Sequence, residues 1–490
     1  MDYFAVVVTF IIVSFLVELW LDLRQRRLLR VAEMPRGLLA RHRVLREHCD
    51  AASFARAQAY GRARNLFGII VNAKDTLQEL LVLYSGAYPY LWTLAGRWAA
   101  AFAAWRASGV GAGVDALNNM TNLSDTTPEP PSEYVQSLLF LGLGSVVSFV
   151  LSLPEDLYET FVLEARFGFN RTSWRTYVLD VVKTAVLGVA LGVPVVCALI
   201  AIVRHTGRLF ALYLALFVGA LSGAVTLLYP VLLLPLFHTL TPLGPGALRD
   251  AVAALAARAG FGAAHVVVMD GSARSGHSNA FVAGVGAHRR LVLYDTLVAQ
   301  LTPSEVCAVL AHELGHWRRR HALAAFALGN AHNALVFALF ARCIDNDALY
   351  RAFGFASASA HAPGAHPVVV GLALFLAVYG PVDSLFSFLL NALLRRFEYQ
   401  ADAYAVALGC DLATPLVKLA RENSTTLLVD PLYSAYHYDH PTLLERLSAI
   451  DALRSGGNED GTNDGNEDDT STSSTTDPVP VESDTKPKEE

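Results

Sequence analysis

The sequence predicts a mostly α-helical, polytopic membrane protein with about seven transmembrane helices and a small α+β unit beside the membrane. Three observations carry this. The 490 residues are 53% hydrophobic and only 17% charged, whereas soluble domains carry about 25% charged residues, and mean hydropathy is +0.38. Apolar runs near 4–20, 76–104, 134–153, 178–203, 209–237, 322–341 and 367–394 each reach or approach the length that crosses a bilayer. Between the fifth and sixth runs the pattern changes to short helical and alternating segments, as in a soluble α+β unit.

The first run precedes Arg24, Arg26, Arg27 and Arg30, so the positive-inside rule makes that end cytosolic and the N-terminus lumenal. Met1-Asp2 offers no positive n-region, and the run reads as a span rather than a signal peptide. The second run is interrupted by Tyr, Arg and Gly, and its limits are the least sharp. Alternation then places 105–133 in the lumen and 154–177, 238–321 and 395–490 in the cytosol. The 105–133 loop agrees: Arg106 is its only basic residue, and it carries sequons at Asn119 and Asn122. The loop Arg204-His205-Thr206-Gly207-Arg208 is lumenal on this count despite two arginines, a mild violation.

The soluble stretch reads as a helix over 248–257, a strand at 265–269, a turn-rich segment at 270–276, and a strand pair at 277–283 and 290–294 joined through Gly284-Val285-Gly286. An extended peptide can add itself to the edge of such a sheet. A helix follows: Thr302, Pro303 and Glu305 fit a capping box with proline at the first position, and Val306, Val309, Leu310 and Leu314 form an apolar stripe.

That helix contains His312-Glu313-Leu314-Gly315-His316. Histidines four apart stand on one helix face and can share a zinc ion, while the intervening glutamate is placed to take a proton from water. The chemistry implied is metal-assisted peptide hydrolysis, and it requires a third ligand. Glu398 and Asp402, again four apart, are the best candidates. One would bind zinc while the other orients a ligating histidine; the bland alternative is a helix end with surface carboxylates. His440, at the end of the aromatic-rich Tyr436-His437-Tyr438-Asp439-His440, is a candidate donor to a developing oxyanion, although His440 or His437 taken alone reads more often as a structural histidine.

These residues and their surroundings resemble a known family. The HELGH helix with Glu398-Tyr399-Gln400-Ala401-Asp402 is similar to the gluzincin arrangement of integral-membrane zinc endopeptidases. Asp270 to Ala280 (DGSARSGHSNA), Arg290 to Thr296, Phe161 to Glu164, Gly168 to Asn170, Leu234 to Phe237, Thr241 to Leu243 and His440 to Arg446 strongly resemble the type I CaaX prenyl endopeptidases, and the likeness runs from near Arg24 to about Leu453. The resemblance implies seven helices around an intramembrane chamber with a zinc-protease unit at its cytosolic end. It implies one Zn2+ held by His312, His316 and Glu398, Glu313 as general base, and Asp402 orienting a histidine. Asn279 and Ala280 would hold the substrate backbone, with His440 and Arg446 stabilising the transition state or positioning the peptide. Prenylated proteins ending in Cys-aliphatic-aliphatic-X would be the substrates, cleaved after the lipidated cysteine. One departure is Phe281-Val282-Ala283-Gly284, where the family commonly has an aromatic pair; a different peptide preference is implied.

The expected organisation is five spans over 1–237, a protease segment at 238–321, two spans over 322–394, a second protease segment at 395–454 and a disordered acidic tail from 455. Lys488 and Lys486 lie third and fifth from the C-terminus, as in a dilysine retrieval signal of the endoplasmic-reticulum membrane, although lysines in a charged tail read equally well as solvated charge. The acidic residues crowd into the tail and no nucleic-acid partner is implied. The five scattered cysteines suggest neither a disulfide framework nor a cysteine-rich metal site. Two rival readings are a quality-control protease of the same clan and a seven-span transporter or lipid-binding scaffold with a silent metal site. A transporter should carry ionisable residues in mid-span; Asp383 is the exception noted here.

Overall fold

A computed structural model gives the structure over residues 2–108, 132–261, 265–284, 289–355 and 366–459. Both sequons, Lys486, Lys488 and the tail beyond 459 lie outside the described residues. Helix α1 (Tyr3–Leu28) is followed by α2 (Ala51–Tyr84), α3 (Ala87–Ser108), α4 (Glu133–Tyr158), α5 (Trp174–His205) and α6 (Phe210–Leu228). Helices α4 and α6 continue through π-helical turns at Glu159–Glu164 and Tyr229–Leu233. Farther on come α7 (Ala247–Arg258), α8 (Asp295–Gln300), α9 (Pro303–Arg318), α10 (His321–Cys343), α11 (Val368–Ala407), α12 (Ala413–Glu422), α13 (Pro431–His437) and α14 (Leu443–Glu459).

Among the described residues, six helices are long and apolar enough to cross a membrane, containing α1, α4, α5, α6, α10 and α11. The second expected run is not one helix. It divides at Gly86, whose φ of +67° suits glycine and ends α2. Helix α2 still runs the whole distance beside α1, stitched by polar side chains. Gln58 Nε2 donates to Leu28 O at 2.9 Å, Asn65 Nδ2 to Asp22 Oδ1 at 2.8 Å and Asn72 Nδ2 to Glu18 Oε2 at 2.7 Å. At the far end the Phe4 and Tyr84 rings meet edge to face at 5.2 Å. Helix α2 is not among the six, because its first half is polar.

Near Tyr84 the ends of several helices gather. Arg204 at the end of α5 grips Glu133 at the start of α4 through two bonds of 2.7 and 2.8 Å, and Glu133 also accepts from Val368 N–H at 2.8 Å. That pairing neutralises Arg204, one of the two arginines that break the loop-charge rule. The spans form a ring, each packing on the next, and α11 closes it against α1. Five of the six spans bury only 6–17% of their most apolar window and the sixth, on α11, buries 39%, so most of the apolar surface faces outward from the protein. Polar side chains within the ring, including the Lys74–Glu155 ion pair, occupy positions tolerated only beside protein or water.

The soluble unit closes one end of this ring. Its sheet has the order β1 (Leu240–Pro242), β2 (His265–Met269), β4 (Arg290–Tyr294), β3 (Ala280–Ala283). Strands β2 and β4 are parallel, and β3 pairs antiparallel to β4 with Ala280 opposite Leu293 and Ala283 opposite Arg290. The strand expected from 277 begins only at Ala280. His277 to Asn279 are drawn aside because Asn423 brackets Ser278, accepting from its N–H at 3.1 Å and donating to its carbonyl at 3.3 Å. Leu291, Leu293, Val306, Leu310 and Leu314 are completely buried in the core shared by sheet, α9 and α12, which holds α9 rigidly.

Candidate metal centre

Helix α9 forms for local reasons. Glu305 Oε2 accepts from the Thr302 backbone N–H at 2.9 Å, completing the capping box, with Pro303 at the first position. Its apolar stripe faces the core, leaving His312 and His316 toward α11. The two helices touch where a side chain is missing: a Cβ on Gly315 would lie 2.9 Å from Ala401 Cα and 3.1 Å from Ala401 O. That contact brings Glu398, one turn before Ala401, beside the histidines.

The Nε2 atoms of His312 and His316 stand 3.1 Å apart. Glu398 places Oε1 3.1 Å from His316 Nε2 and Oε2 3.4 Å from His312 Nε2. All three ligand atoms lie within 4.8 Å of one another. Ligands about 2.0–2.1 Å from a tetrahedral zinc are separated by about 3.3 Å, so the set fits that ion. Glu398 is 5% exposed, and its Oε2 is buried without a hydrogen-bond partner among the described residues. A buried carboxylate oxygen in that condition is costly unless a cation meets it.

The outer faces of both histidines are also held. Asp402, fully buried, lies 2.8 Å from His312 Nδ1. Arg446 from α14 binds Asp402 through two bonds of 2.9 and 2.6 Å and turns Nη1 toward Glu398 at 3.9 Å. Burial alone would push the His312 imidazole down, but its bonds to Asp402 and Glu398 outweigh this and raise it to about 9. The pocket is thus built to hold positive charge. Burial raises the Glu313 carboxyl, opposed by the neighbouring histidines. His440 stands at the open side, 60% exposed, with Nε2 3.3 Å from Glu398 Oε1 and Nδ1 2.7 Å from Asp439. His437 carries no such contact; it packs on Tyr433 and Tyr436.

Asn279 and Ala280 lie at the start of β3, the edge strand that packs against α9. Tyr294 N–H donates to Asn279 O at 3.1 Å, so the Ala280 N–H points away from the sheet. In this structure Asn279 Oδ1 accepts that N–H at 2.8 Å. His277 behind them stacks on Phe169 at 4.1 Å and reaches Glu164, which accepts from Tyr60 Oη at 2.6 Å. The structure also adds residues that the sequence did not single out. Gly315 sets the helix spacing, and His321 and Gln400 stand behind His316. The only signal was a further histidine five residues past the motif.

Residues 25–239 match the family described as CAAX prenyl protease N-terminal, five membrane helices. Residues 242–454 match peptidase family M48. The chain is 37% identical to the CAAX prenyl protease 1 homolog of Arabidopsis thaliana over 91% of this chain and 96% of that protein. It is 34% identical to CAAX prenyl protease 1 of Saccharomyces cerevisiae, over 90% of this chain and 94% of the relative. The human homolog is 31% identical over 92% and 96%. The crystal structure of S. mikatae Ste24p superposes with a TM-score of 0.80 at 32% identity, covering 92% of this chain and 99% of that one. Full-length likeness in sequence and fold, together with the HELGH and Glu398 geometry, makes this chain a member of peptidase family M48, of the membrane-embedded CAAX prenyl protease 1 type.

Proposed function

We propose that this chain is a zinc-dependent endopeptidase that removes the C-terminal tripeptide of prenylated Cys-aliphatic-aliphatic-X proteins, with one zinc ion on His312, His316 and Glu398. The observation that carries the reading is the convergence of those three ligand atoms within 4.8 Å beside a free edge strand at one end of a helix ring. Zinc there would supply a Lewis acid that lowers the pKa of a water toward neutrality. Glu313, in the turn between the two histidines, takes the proton of the attacking water and passes it to the leaving amine. His440, opposite Glu398 at the open side, donates to the carbonyl oxygen as it becomes an oxyanion. Asp402 fixes the His312 tautomer, and Arg446 fixes Asp402 while directing its remaining nitrogen toward the site. The substrate backbone adds to β3, with Asn279 Nδ2 donating to it and Ala280 offering the outward N–H. The space within the helix ring would receive the prenyl chain.

Several features support a division of the chain at 237/238, 321/322, 394/395 and 454/455, the matched family regions meeting between 239 and 242. The arginines after α1 favour a cytosolic soluble unit with the N-terminus in the lumen of the endoplasmic reticulum. The deciding experiment measures zinc content and cleavage of a farnesylated Cys-aliphatic-aliphatic-X peptide by wild type and Glu313→Ala. Zinc should be retained and cleavage lost; unchanged cleavage refutes the mechanism. Equal cleavage of an unprenylated peptide would instead favour the quality-control reading.

A further inference from the structure

We propose that His321 and Gln400 form a positioning relay that fixes the tautomer of His316, as a counterpart to the Asp402–His312 pair; the proposal rests on the ligand assignment above. His321 opens α10, five residues after His316, and is 5% exposed. Its Nδ1 lies 3.0 Å from His316 Nδ1, and its Nε2 lies 3.0 Å from Gln400 Oε1. The ring stacks on Phe397 at 4.2 Å with planes 3° apart. Phe397 and Gln400 flank Glu398 on α11, so the helix that brings the third ligand also holds the second histidine from behind.

Only one proton arrangement serves metal binding. A carbonyl oxygen at Gln400 requires His321 to carry its proton on Nε2, leaving Nδ1 as a bare acceptor. His316 then donates from Nδ1 and keeps an unprotonated Nε2 toward Glu398. Turning the Gln400 amide over reverses every step and leaves His316 Nε2 protonated, unable to ligate. The backbone is bent to reach this placement. Arg320, between α9 and α10, is left-handed at φ 58°, ψ 34°, an uncommon conformation for a side chain with a Cβ. A helix continuing past Arg319 would carry residue 321 away from His316.

The test uses the full chain in detergent, with zinc affinity read by competition against a chromogenic chelator and folding read by thermal melting. His321→Phe keeps a ring for Phe397 and removes the acceptor; its zinc affinity should fall about 10- to 100-fold, as for loss of other outer-shell partners. His321→Asn places an amide oxygen near the former Nδ1 and should stay within about threefold of wild type. Wild-type affinity in His321→Phe, or equal loss in both variants, overturns the relay. Gln400→Leu leaves the histidine ring in place and should also weaken zinc binding; should the His321 variants not fold, wild-type affinity in Gln400→Leu overturns the proposal. A wild-type chain without zinc, or Glu398→Ala binding it normally, would refute the ligand assignment itself. Normal wild-type binding with an unaffected His321→Phe refutes only the relay.

Discussion

Gly315→Ala tests whether the spacing between α9 and α11 sets the metal geometry. The new Cβ would stand 2.9 Å from Ala401 Cα and 3.1 Å from both Ala401 O and Tyr404 Cβ. Carbon atoms settle at about 3.5–4.0 Å, so the helices must separate by roughly 0.6–1 Å. Such overpacking costs about 1–3 kcal/mol, and alanine returns about 1 kcal/mol of helix propensity. The net of about 0–2 kcal/mol leaves most of a folding stability of about 5–15 kcal/mol. The site has less tolerance, because His316 is adjacent to the clash on one helix and Glu398 is one turn away on the other. Misplacement on the order of 1 Å costs about 10²-fold in rate. The expected outcome is a folded protein with weakened zinc binding and kcat/KM for a farnesylated peptide reduced about 100-fold. Gly329→Ala, where a Cβ meets nothing within 4 Å, is the control and should be silent. Wild-type kcat/KM in Gly315→Ala would refute the argument that this contact sets the ligands.

Three further outcomes follow from the contacts around the site. Asp402→Ala leaves the Arg446 guanidinium, 13% exposed, without its bidentate partner; removing one member of a buried pair costs about 3–5 kcal/mol, read as a lower thermal midpoint in detergent together with lost zinc. Burial pushes the Glu305 carboxyl up, but Lys418 at 2.5 Å and the Thr302 cap outweigh that and hold it below the ordinary glutamate range. A depressed carboxyl stabilises the fold above its unfolded pKa, and the benefit is lost as pH falls through the folded value. The stability gap between wild type and Glu305→Gln should therefore be full at pH 7 and shrink below about pH 4.5; a gap independent of pH would contradict it. Asn279→Ala removes both the cover on the Ala280 N–H and the amide donor. The proposed backbone contact predicts a raised KM and about a tenfold loss of kcat/KM, whereas a lowered KM would mean that Asn279 serves chiefly to cap its own strand.

The sequence made legible whatever is written locally. The capping box, the HELGH spacing and six apolar spans each rest on residues within a few turns of one another, and the Glu398–Asp402 pair was found by the same four-residue spacing. What escaped it depends on partners far along the chain. Helix α2 was blurred because its polar residues are satisfied by α1 alongside it. Arg204 violated the loop-charge rule because its partner, Glu133, lies 71 positions away. The Asn423 bracket that delays β3 spans 145 positions, and no periodicity reveals it. Strand β1 was missed because three residues ending in proline carry no alternation. Gly315 read as a filler of the motif until Ala401 was seen against it.

The path of α11 explains why a membrane ring and a protease site share one chain. It is a single helix of 40 residues, about 60 Å long at 1.5 Å per residue. Its first half closes the ring against α1 and α10, and its second half carries Phe397, Glu398, Gln400, Ala401 and Asp402 through the soluble core. The proposed metal ligands are oriented largely from that second half, where Gly315 meets Ala401, His321 meets Phe397 and Gln400, and Arg446 meets Asp402. A helix resists bending over this length unless proline or a bulge interrupts it, and Pro381 lies before the site rather than within it. The proposed ligand positions are therefore referenced to the soluble core that the second half of α11 crosses.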